Sequence, residues 1–338
     1  MPIRMTDARS ENTFDEDIQR LRAAYEQKRN STNLVPPIGR PNWDISIDVV
    51  DGTVIYTYWF ELDDNKLQCI RLADIPDTLS GDILRLNRNL PTSIWNSRNN
   101  YEIIGDKVTE LNNAPSPPDF EPDDEDITSE ISMLPDVVVD PVKHFVKKGK
   151  YRSEIRNLLA CQGGSCPGSP ISPHIIRLLG KSADGKLVFE KFNPRYILAL
   201  VHPLAQYKSW ILQVISGLLA LHSVGIVHRD LRIDNLIFTL NGGHRLYIID
   251  LESRWGNRLA PEISKEPILN AGWSEKSDIY DLGYVIKGMI YGNTPITYLV
   301  EWDVPEPLKM VVDACTRMAP ADRPSLMELY NMVLEISD

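Results

Sequence analysis

Residues Ile226 to Phe238 read IVHRDLRIDNLIF: an apolar lead-in, a polar loop and an apolar exit strand. The polar positions are His228, Arg229, Asp230, Arg232, Asp234 and Asn235. A loop this charged between two apolar runs needs a reason to be fixed in place. A further acid follows. Arg245-Leu-Tyr-Ile-Ile-Asp250 is a β run ending in an acid, and the triplet there is Asp250-Leu251-Glu252.

His228-Arg229-Asp230-Leu231 followed by Asn235 fits H-R-D-L-x-x-x-N, the catalytic loop of protein kinases, at every defined position. Ala260-Pro261-Glu262 matches A-P-E, Asp278-Ile-Tyr-Asp-Leu-Gly283 matches D-x-x-x-x-G, and Asp322-Arg323-Pro324 lies near the end. On these motifs, in the right order, the chain resembles the eukaryotic-type protein kinase superfamily, as a divergent member with a degenerate N-lobe. The resemblance is strong from residue 186 onward and weaker over 127–185.

The resemblance implies roles. Phosphoryl transfer asks the protein for positioning and electrostatics rather than covalent chemistry. Asp230 would accept or orient the acceptor hydroxyl, and Asn235 and Asp250 would hold Mg²⁺. Arg232 stands where serine/threonine kinases carry a lysine that touches the γ-phosphate. A guanidinium there keeps the charge and changes the geometry, and some tyrosine kinases have arginine at that point. Arg323 would pair with Glu262, and Asp278 would hold the catalytic-loop backbone. The Phe and Gly of D-F-G are replaced by Leu251 and Glu252. The activation segment, Asp250 to Glu262, has only 13 residues, and Ser253 is its one hydroxyl residue. Arg229 is therefore not expected to answer a phosphosite.

Composition bounds the remaining classes. The 338 residues suffice for two or three domains, with 43% apolar and 25% charged residues. A net charge of −11 argues against nonspecific nucleic-acid binding. No apolar run approaches the length of a membrane span, and the N-terminus lacks an apolar signal core. Four cysteines, Cys69, Cys161, Cys166 and Cys315, suit a reducing compartment. Cys161-x4-Cys166 has no matching second pair and reads as free thiols rather than a zinc site. An intracellular location, cytoplasmic or nuclear, is expected, with no membrane partner.

Along the chain, residues 1–42 read as disordered to residue 13, then an exposed helix from Phe14 to Lys28, then a linker from Asn30 to Pro41. Residues 43–112 form a small β-rich region. Trp43 to Ile75 alternates apolar and polar residues as an antiparallel meander, with turns at Asp51-Gly52 and Asp63-Asp64-Asn65. Ser80 to Leu86 is a short helix, and Trp95 to Val108 is irregular with one strand. Residues 113–126 form a Pro-rich acidic linker, able to contact the basic run Lys143 to Arg156 in cis. Residues 127–338 are the kinase-like domain.

Its small lobe departs most from the family. Ile127 to Lys148 would supply the first three strands, yet G-x-G-x-x-G is absent there; Gly163-Gly164 and Gly168 follow the next helix. That helix, Tyr151 to Cys161, carries Glu154, which resembles the αC glutamate. Its lysine partner is open. Lys143 stands 11 residues upstream and is favoured, Lys147 only seven upstream fits if the strand ends abruptly, and Lys148 is a further candidate. The usual family spacing puts Asp140 at the lysine position, which would leave no lysine at all. Leu187-Val-Phe-Glu190 resembles the fifth strand and hinge. Phe189 would be the gatekeeper, backbone groups after Glu190 would pair with adenine, and Ile237 would lie under the base.

In the C-lobe, Tyr207 to Ser223 is an amphipathic helix ending near Gly225. Ser277 is expected to cap a helix running to Tyr291, closed by Gly292-Asn293. Pro305 to Met318 is another helix, and Ser325-x-x-Glu328 opens the last one, Leu326 to Ile336. The expected fold class is α+β: a bilobal protein-kinase-like fold, with a small β-rich N-lobe bearing one helix and a mainly helical C-lobe, preceded by a small β-rich N-terminal region. The expected function is an ATP- and Mg²⁺-dependent protein kinase acting on a protein hydroxyl, serine or threonine ahead of tyrosine. Two alternatives stand beside it: a pseudokinase scaffold, and a small-molecule kinase of the aminoglycoside type.

Overall fold

Strands form where β-branched and aromatic residues alternate with polar ones, and the chain has two such regions. The structure is a computed structural model. It describes residues 13–37, 39–62, 66–86, 89–95, 97–117, 124–164, 166–192, 197–239, 244–254, 256, 259–263, 267–292 and 303–337. The described residues fall into two units: one within Arg20–Pro122, the other made of Met1–Gln19, Asp123–Asn293 and Asp303–Asp338. The expected turn at 63–65, nearly all of the expected disorder at 1–13 and residues 118–123 of the Pro-rich acidic linker lie outside the described residues.

Helix α1 (Phe14–Ser31) straddles the division, with three acids in its first turn and Lys28 and Arg29 in its last, matched to the helix dipole. The smaller unit follows with β1 (Leu34–Val35), β2 (Arg40–Val50), β3 (Thr53–Glu61), β4 (Leu67–Ala73), α2 (Leu79–Arg85), β5 (Leu90–Pro91), α3 (Thr92–Trp95), β6 (Asn100–Ile104) and β7 (Lys107–Leu111). The sheet order is β2-β3-β4-β6-β7, with β4 and β6 parallel and the other pairs antiparallel. Asp51 and Gly52 both take positive φ, the two-residue turn that matches strand twist. The expectation of one strand in Trp95 to Val108 is corrected to two, because the β6–β7 hairpin turns at Gly105. Strand β7 is exposed along nearly its whole length and shows no apolar alternation. The expected linker at 30–41 also carries β1 and the start of β2.

The larger unit contains α4 (Thr128–Ser132), β8 (His144–Lys147), α5 (Arg152–Ala160), β9 (Leu178–Lys181), β10 (Leu187–Glu190), α6 (Leu204–Ser223), β11 (Leu236–Phe238), β12 (Leu246–Ile248), α7 (Glu275–Tyr291), α8 (Leu308–Cys315) and α9 (Leu326–Glu335). This is an α+β arrangement, a small sheet with one long-loop helix followed by a helical region. The three strands expected from Ile127 to Lys148 are corrected. That stretch gives α4 and the single strand β8, so the sheet has three strands, in the order β8-β10-β9. Pro135 and Pro141 interrupt the run; between them Val137 N–H donates to Lys181 O at 2.8 Å and Asp140 N–H to His144 Nδ1 at 3.0 Å, which makes no continuous strand ladder among the described residues.

Helix α6 is the centre of the core. Tyr207, Trp210, Ile211, Val214, Ile215, Leu218 and Leu221 are all fully buried along it. Trp210 meets Phe238 of β11 edge to face at 5.2 Å. Gly217 lets β12 approach, since a Cβ there would stand 2.6 Å from Ile248 Cδ1. The chain is thereby carried from α6 through the polar loop to β11, and from β12 to Asp250. Ser274, not Ser277, caps α7; Ser277 sits at N3 and completes the capping box. Ser325 and Glu328 form the same device on α9. Among the described residues no helix is long and apolar enough to cross a membrane.

Arg323 pins the helical region. Its Nη1 and Nη2 donate to the two Glu262 carboxylate oxygens at 2.6 and 2.7 Å, and it also donates to the carbonyls of Arg317, Lys276 and Met318. Its guanidinium lies 4.7 Å from the Tyr280 ring centre. Removing one side of such a pair leaves an uncompensated charge. Arg323→Met is expected to cost about 3–5 kcal/mol in urea denaturation, and the double variant with Glu262→Gln less than the sum of the two.

Asp281 is the opposite case. It is buried in α7 and neither carboxylate oxygen has a partner among the described residues. Burial first, then the charges of Asp278, Asp230 and Glu262, push its carboxyl well above the ordinary range, with Arg323 opposing. A raised folded-state value means that its contribution is complete below the unfolded value and is lost as pH rises through the folded one. Asp281→Asn is therefore expected to be more stable than the wild type at pH 8 by about 1–3 kcal/mol, with the gap closing near pH 4 in parallel thermal melts.

Candidate active site

The polar loop is fixed from below by one buried carboxylate. Asp278 Oδ2 accepts from the backbone N–H of His228 at 2.8 Å and from His222 Nε2 at 2.8 Å, and Oδ1 accepts from Arg229 N–H at 2.8 Å. His228 is fully buried; its Nε2 meets Ile249 O at 3.0 Å and its Nδ1 meets Asp230 N–H at 3.3 Å. The imidazole thus ties the loop to the residue before Asp250. Arg229, Asp250 and Ser253 all hold positive φ, a backbone state that non-glycine residues keep only where surroundings enforce it.

Asn235 Nδ2 donates to Asp230 O at 2.7 Å and to Asp230 Oδ2 at 2.8 Å. That fixes the Asp230 carboxylate through the amide nitrogen of Asn235. Burial raises the Asp230 carboxyl, while Arg232 and His228 oppose the rise. Arg232 Nε lies 3.6 Å from Asp230 Oδ2, and its side chain is largely exposed. The loop thus holds Asp230 and Asn235 in direct contact, and Asp250 follows Ile249, whose N–H donates to Asn235 O at 3.0 Å.

The lysine assignment is corrected. Lys147, not Lys143, pairs with Glu154: Lys147 Nζ stands 2.8 Å from Glu154 Oε1, 2.5 Å from Asp250 Oδ1 and 3.1 Å from Glu252 Oε1. Lys143 is exposed and, among the described residues, its ammonium pairs with Asp140 at 3.7 Å; Lys148 pairs with Asp124 at 2.5 Å. The physical reason is an abrupt strand end. Strand β8 stops at Lys147 and α5 starts at Arg152. Gly149 permits the short connection, because a Cβ there would stand 2.9 Å from Ile127 Cδ1. Burial works against the Lys147 charge, but Glu154 and Asp250 outweigh it and hold the ammonium above its ordinary value. Burial raises Glu154 and Glu252, with Lys147 opposing in both.

Helix α5 and the segment after Asp250 are bonded directly. Ser153 Oγ donates to Glu252 O at 2.6 Å, and Asn157 Nδ2 donates to Leu251 O at 2.8 Å and to Ser253 Oγ at 3.1 Å. Ser253 Oγ in turn donates to Val227 O at 2.8 Å. Leu251 is fully buried. The acidic stretch before α4 closes the ring. Glu125 accepts from Arg152 N–H at 2.9 Å and from Arg254 Nη1 at 2.6 Å, and Arg254 stacks 4.9 Å over Tyr151. Arg152 Nε also donates to Asp126 O, and Arg156 pairs with Glu130 at 2.9 Å. The acidic segment therefore contacts the basic run, and residues 124–126 belong with the larger unit.

On the opposite strand, Phe189 is buried and sits across from Phe145, while Glu190 is exposed across from His144. Ile237 is half-buried and sits across from Tyr247, on which Phe192 stacks at 4.3 Å. The amide after Glu190 is engaged: Lys191 N–H donates to Lys143 O at 2.7 Å. Glu252, Ser153, Asn157 and the Phe192–Tyr247 pair were not anticipated from the sequence. Lys-Lys-Gly directly before a helix start was the one local signal that pointed to Lys147.

The ligand atoms of Glu154, Asp250 and Glu252 lie within 4.8 Å of one another. Glu154 Oε2 is buried and has no partner among the described residues. Hard oxygen donors at this spacing fit Mg²⁺, which takes one or two carboxylates and keeps several waters.

No protein-family model matches the chain. It is 27% identical over 212 residues to the mitogen-activated protein kinase kinase kinase bck1 of Aspergillus fumigatus, covering 58% of this chain and 12% of that protein. It is 28% identical over 165 residues to the translation initiation factor 2-alpha kinase pek-1 of Caenorhabditis elegans, covering 38% and 15%. It is 38% identical over 86 residues to cyclin-dependent kinase F-1 of Oryza sativa, covering 21% and 18%. The chain thus spans less than a fifth of each relative's length. The solved PknI kinase domain of Mycobacterium tuberculosis superposes with a TM-score of 0.40 at 22% identity, over 52% of this chain and 75% of that one. The relatives named here are all protein kinases, and the chain is similar to them over 21–58% of its length.

Proposed function

We propose that the chain is an ATP-dependent protein kinase that transfers the γ-phosphate to a protein hydroxyl, serine or threonine ahead of tyrosine. The observation that carries this reading is Lys147 bonded at once to Glu154 and Asp250. A chain that had abandoned nucleotide chemistry has no need to keep a lysine, a helix glutamate and a loop acid in one cluster.

Asp230 is the group that accepts or orients the acceptor hydroxyl. Its carboxyl is raised toward the operating pH by burial, which favours proton transfer, and Asn235 holds it in one orientation. Asn235 and Asp250 offer oxygens to Mg²⁺, with Glu252 beside them. Bound Mg²⁺ supplies charge neutralisation of the phosphate oxygens. Lys147 is the phosphate-facing cation, and Glu154 keeps it in place. Arg232, beside Asp230, adds a positive charge on the acceptor side. Phe189 and Ile237 bound the space for a base from two strands.

A second reading, a pseudokinase scaffold, has one specific observation in its favour. All three N–H bonds of Lys147 already go to carboxylates.

Mg²⁺-dependent ADP release from ATP by the purified chain separates the two, with water as the slow acceptor. Asp230→Asn is expected to lower release by about 100-fold or more with the melting temperature preserved. No ADP from either protein gives the scaffold reading the field. In the same assay Lys147→Ala is expected to lose about 100-fold, and Lys143→Ala to stay within about twofold of the wild type. The reverse order of these two variants would return the role to Lys143.

A further inference from the structure

The cluster around Lys147 carries more negative charge than one ammonium balances. Glu154, Asp250 and Glu252 converge on it, and their ligand atoms lie within 4.8 Å of one another. An ammonium has three donors, and here each has its carboxylate, at 2.8, 2.5 and 3.1 Å. Lys147 thus has no donor left for a phosphate. At the same time Glu154, 2% exposed, keeps its second oxygen buried and without a hydrogen bond among the described residues. Buried carboxylates in surplus call for a further cation.

We propose that Asp250 and Glu252, backed by Glu154, form a divalent-cation site that fills before nucleotide binds and whose filling releases Lys147 toward phosphate. The release of Lys147 rests on the kinase reading; the cation site does not. Glu252 is the new ligand. Its direction is imposed by the backbone around it: its carbonyl accepts from Ser153 Oγ, the carbonyl of Leu251 accepts from Asn157, and both flanking residues Asp250 and Ser253 hold positive φ. The turn therefore presents the Asp250 and Glu252 side chains to the same point, where Lys147 meets both. Two carboxylate oxygens bound to one ion at about 2.0–2.1 Å stand no more than about 4 Å apart; the ligand atoms here all lie within 4.8 Å of one another, so a small side-chain adjustment brings them onto one ion. The donors are all hard oxygens, which suits Mg²⁺ or Mn²⁺ and not a thiol- or imidazole-seeking metal. When the ion takes Asp250 and Glu252, Lys147 keeps Glu154 and regains two donors.

The test is isothermal titration of the full, nucleotide-free chain with MnCl₂. Saturable binding of Mn²⁺ is expected, weakened about tenfold or more in Asp250→Asn and in Glu252→Gln. Glu252→Gln retains the side-chain shape and an acceptor for Lys147, and a metal-free melt within a few degrees of the wild type certifies its fold. Unchanged Mn²⁺ affinity in folded Glu252→Gln overturns the proposal, as does the absence of saturable binding by the wild type. Mg²⁺-dependent ADP release, run on the same samples, keeps the two readings apart. Release by the wild type with Mn²⁺ affinity unaffected by Glu252→Gln overturns this site and leaves the kinase reading standing. Glu252-dependent Mn²⁺ binding without ADP release supports the site and removes the kinase reading.

Discussion

The Asp278 carboxylate is the fixed point of the polar loop. It is fully buried on α7, a helix buried over most of its length, and it accepts three hydrogen bonds, two of them from consecutive backbone N–H groups of the polar loop. Such bonds to a buried anion are stronger than neutral ones, and a loop held by its main chain leaves its side chains free for other work. His228 extends the hold to Ile249, and Asn235 N–H and carbonyl carry it on: Ile249 N–H donates to Asn235 O at 3.0 Å. Asp230, Asn235 and Asp250 thus stand on one continuous hydrogen-bonded frame. Their separation is a property of the backbone and not of three independent side chains.

A second constraint comes from the other side. Helix α5 is joined to the segment after Asp250 by Ser153, Asn157 and the Glu125–Arg254 link. Glu154 and Asp250 therefore move together or not at all. In a longer activation segment a phosphate can perform such ordering by adding Arg-pairable charge. Here the charge is built in as Glu125, between Arg152 N–H and Arg254, and Ser253 spends its hydroxyl on Val227 and Asn157. The shortness of the segment and the absence of further hydroxyl residues in it fit a geometry that needs no modification to form.

Much of this was legible in the sequence, and the limits were physical. Asp230, Asn235, Asp278, Glu262 and Arg323 announce themselves because their mutual spacing is imposed by short, regular elements: a loop of fixed length, a helix with a capping box, a tight turn before the last helix. The lysine did not. Three lysines lie within six residues, and only the point at which β8 stops decides which one faces α5. That point depends on Gly149 packing against Ile127 and Leu187, a tertiary fact. The sheet differs for a related reason: Val137, Val138, Val139 and Val142 have strand propensity, but the prolines on either side break the ladder, and Val138 and Val142 remain exposed. In the smaller unit the β6–β7 hairpin was missed because an exposed edge strand has no apolar face to betray its period. Glu252 was noted only as a missing glycine; nothing in its residue type says that Ser153 and Asn157 will turn it inward.

The replacement of two residues after Asp250 follows a single logic. Leu251 fills an apolar site completely and offers no bulky ring to swing. Glu252 adds a carboxylate where a glycine would add none, and a glycine there would also loosen the turn through its wider backbone freedom. The same two positions thus stiffen the segment and deepen its negative field. A field of that sign beside a nucleotide's phosphates is repulsive unless cations stand between them. Lys147 provides one positive charge against three negative ones, so the arrangement is stable alone yet hostile to a polyphosphate. On the kinase reading proposed above, that charge must change before phosphate enters, and Asp250 and Glu252 are the acids beyond Glu154 that set it.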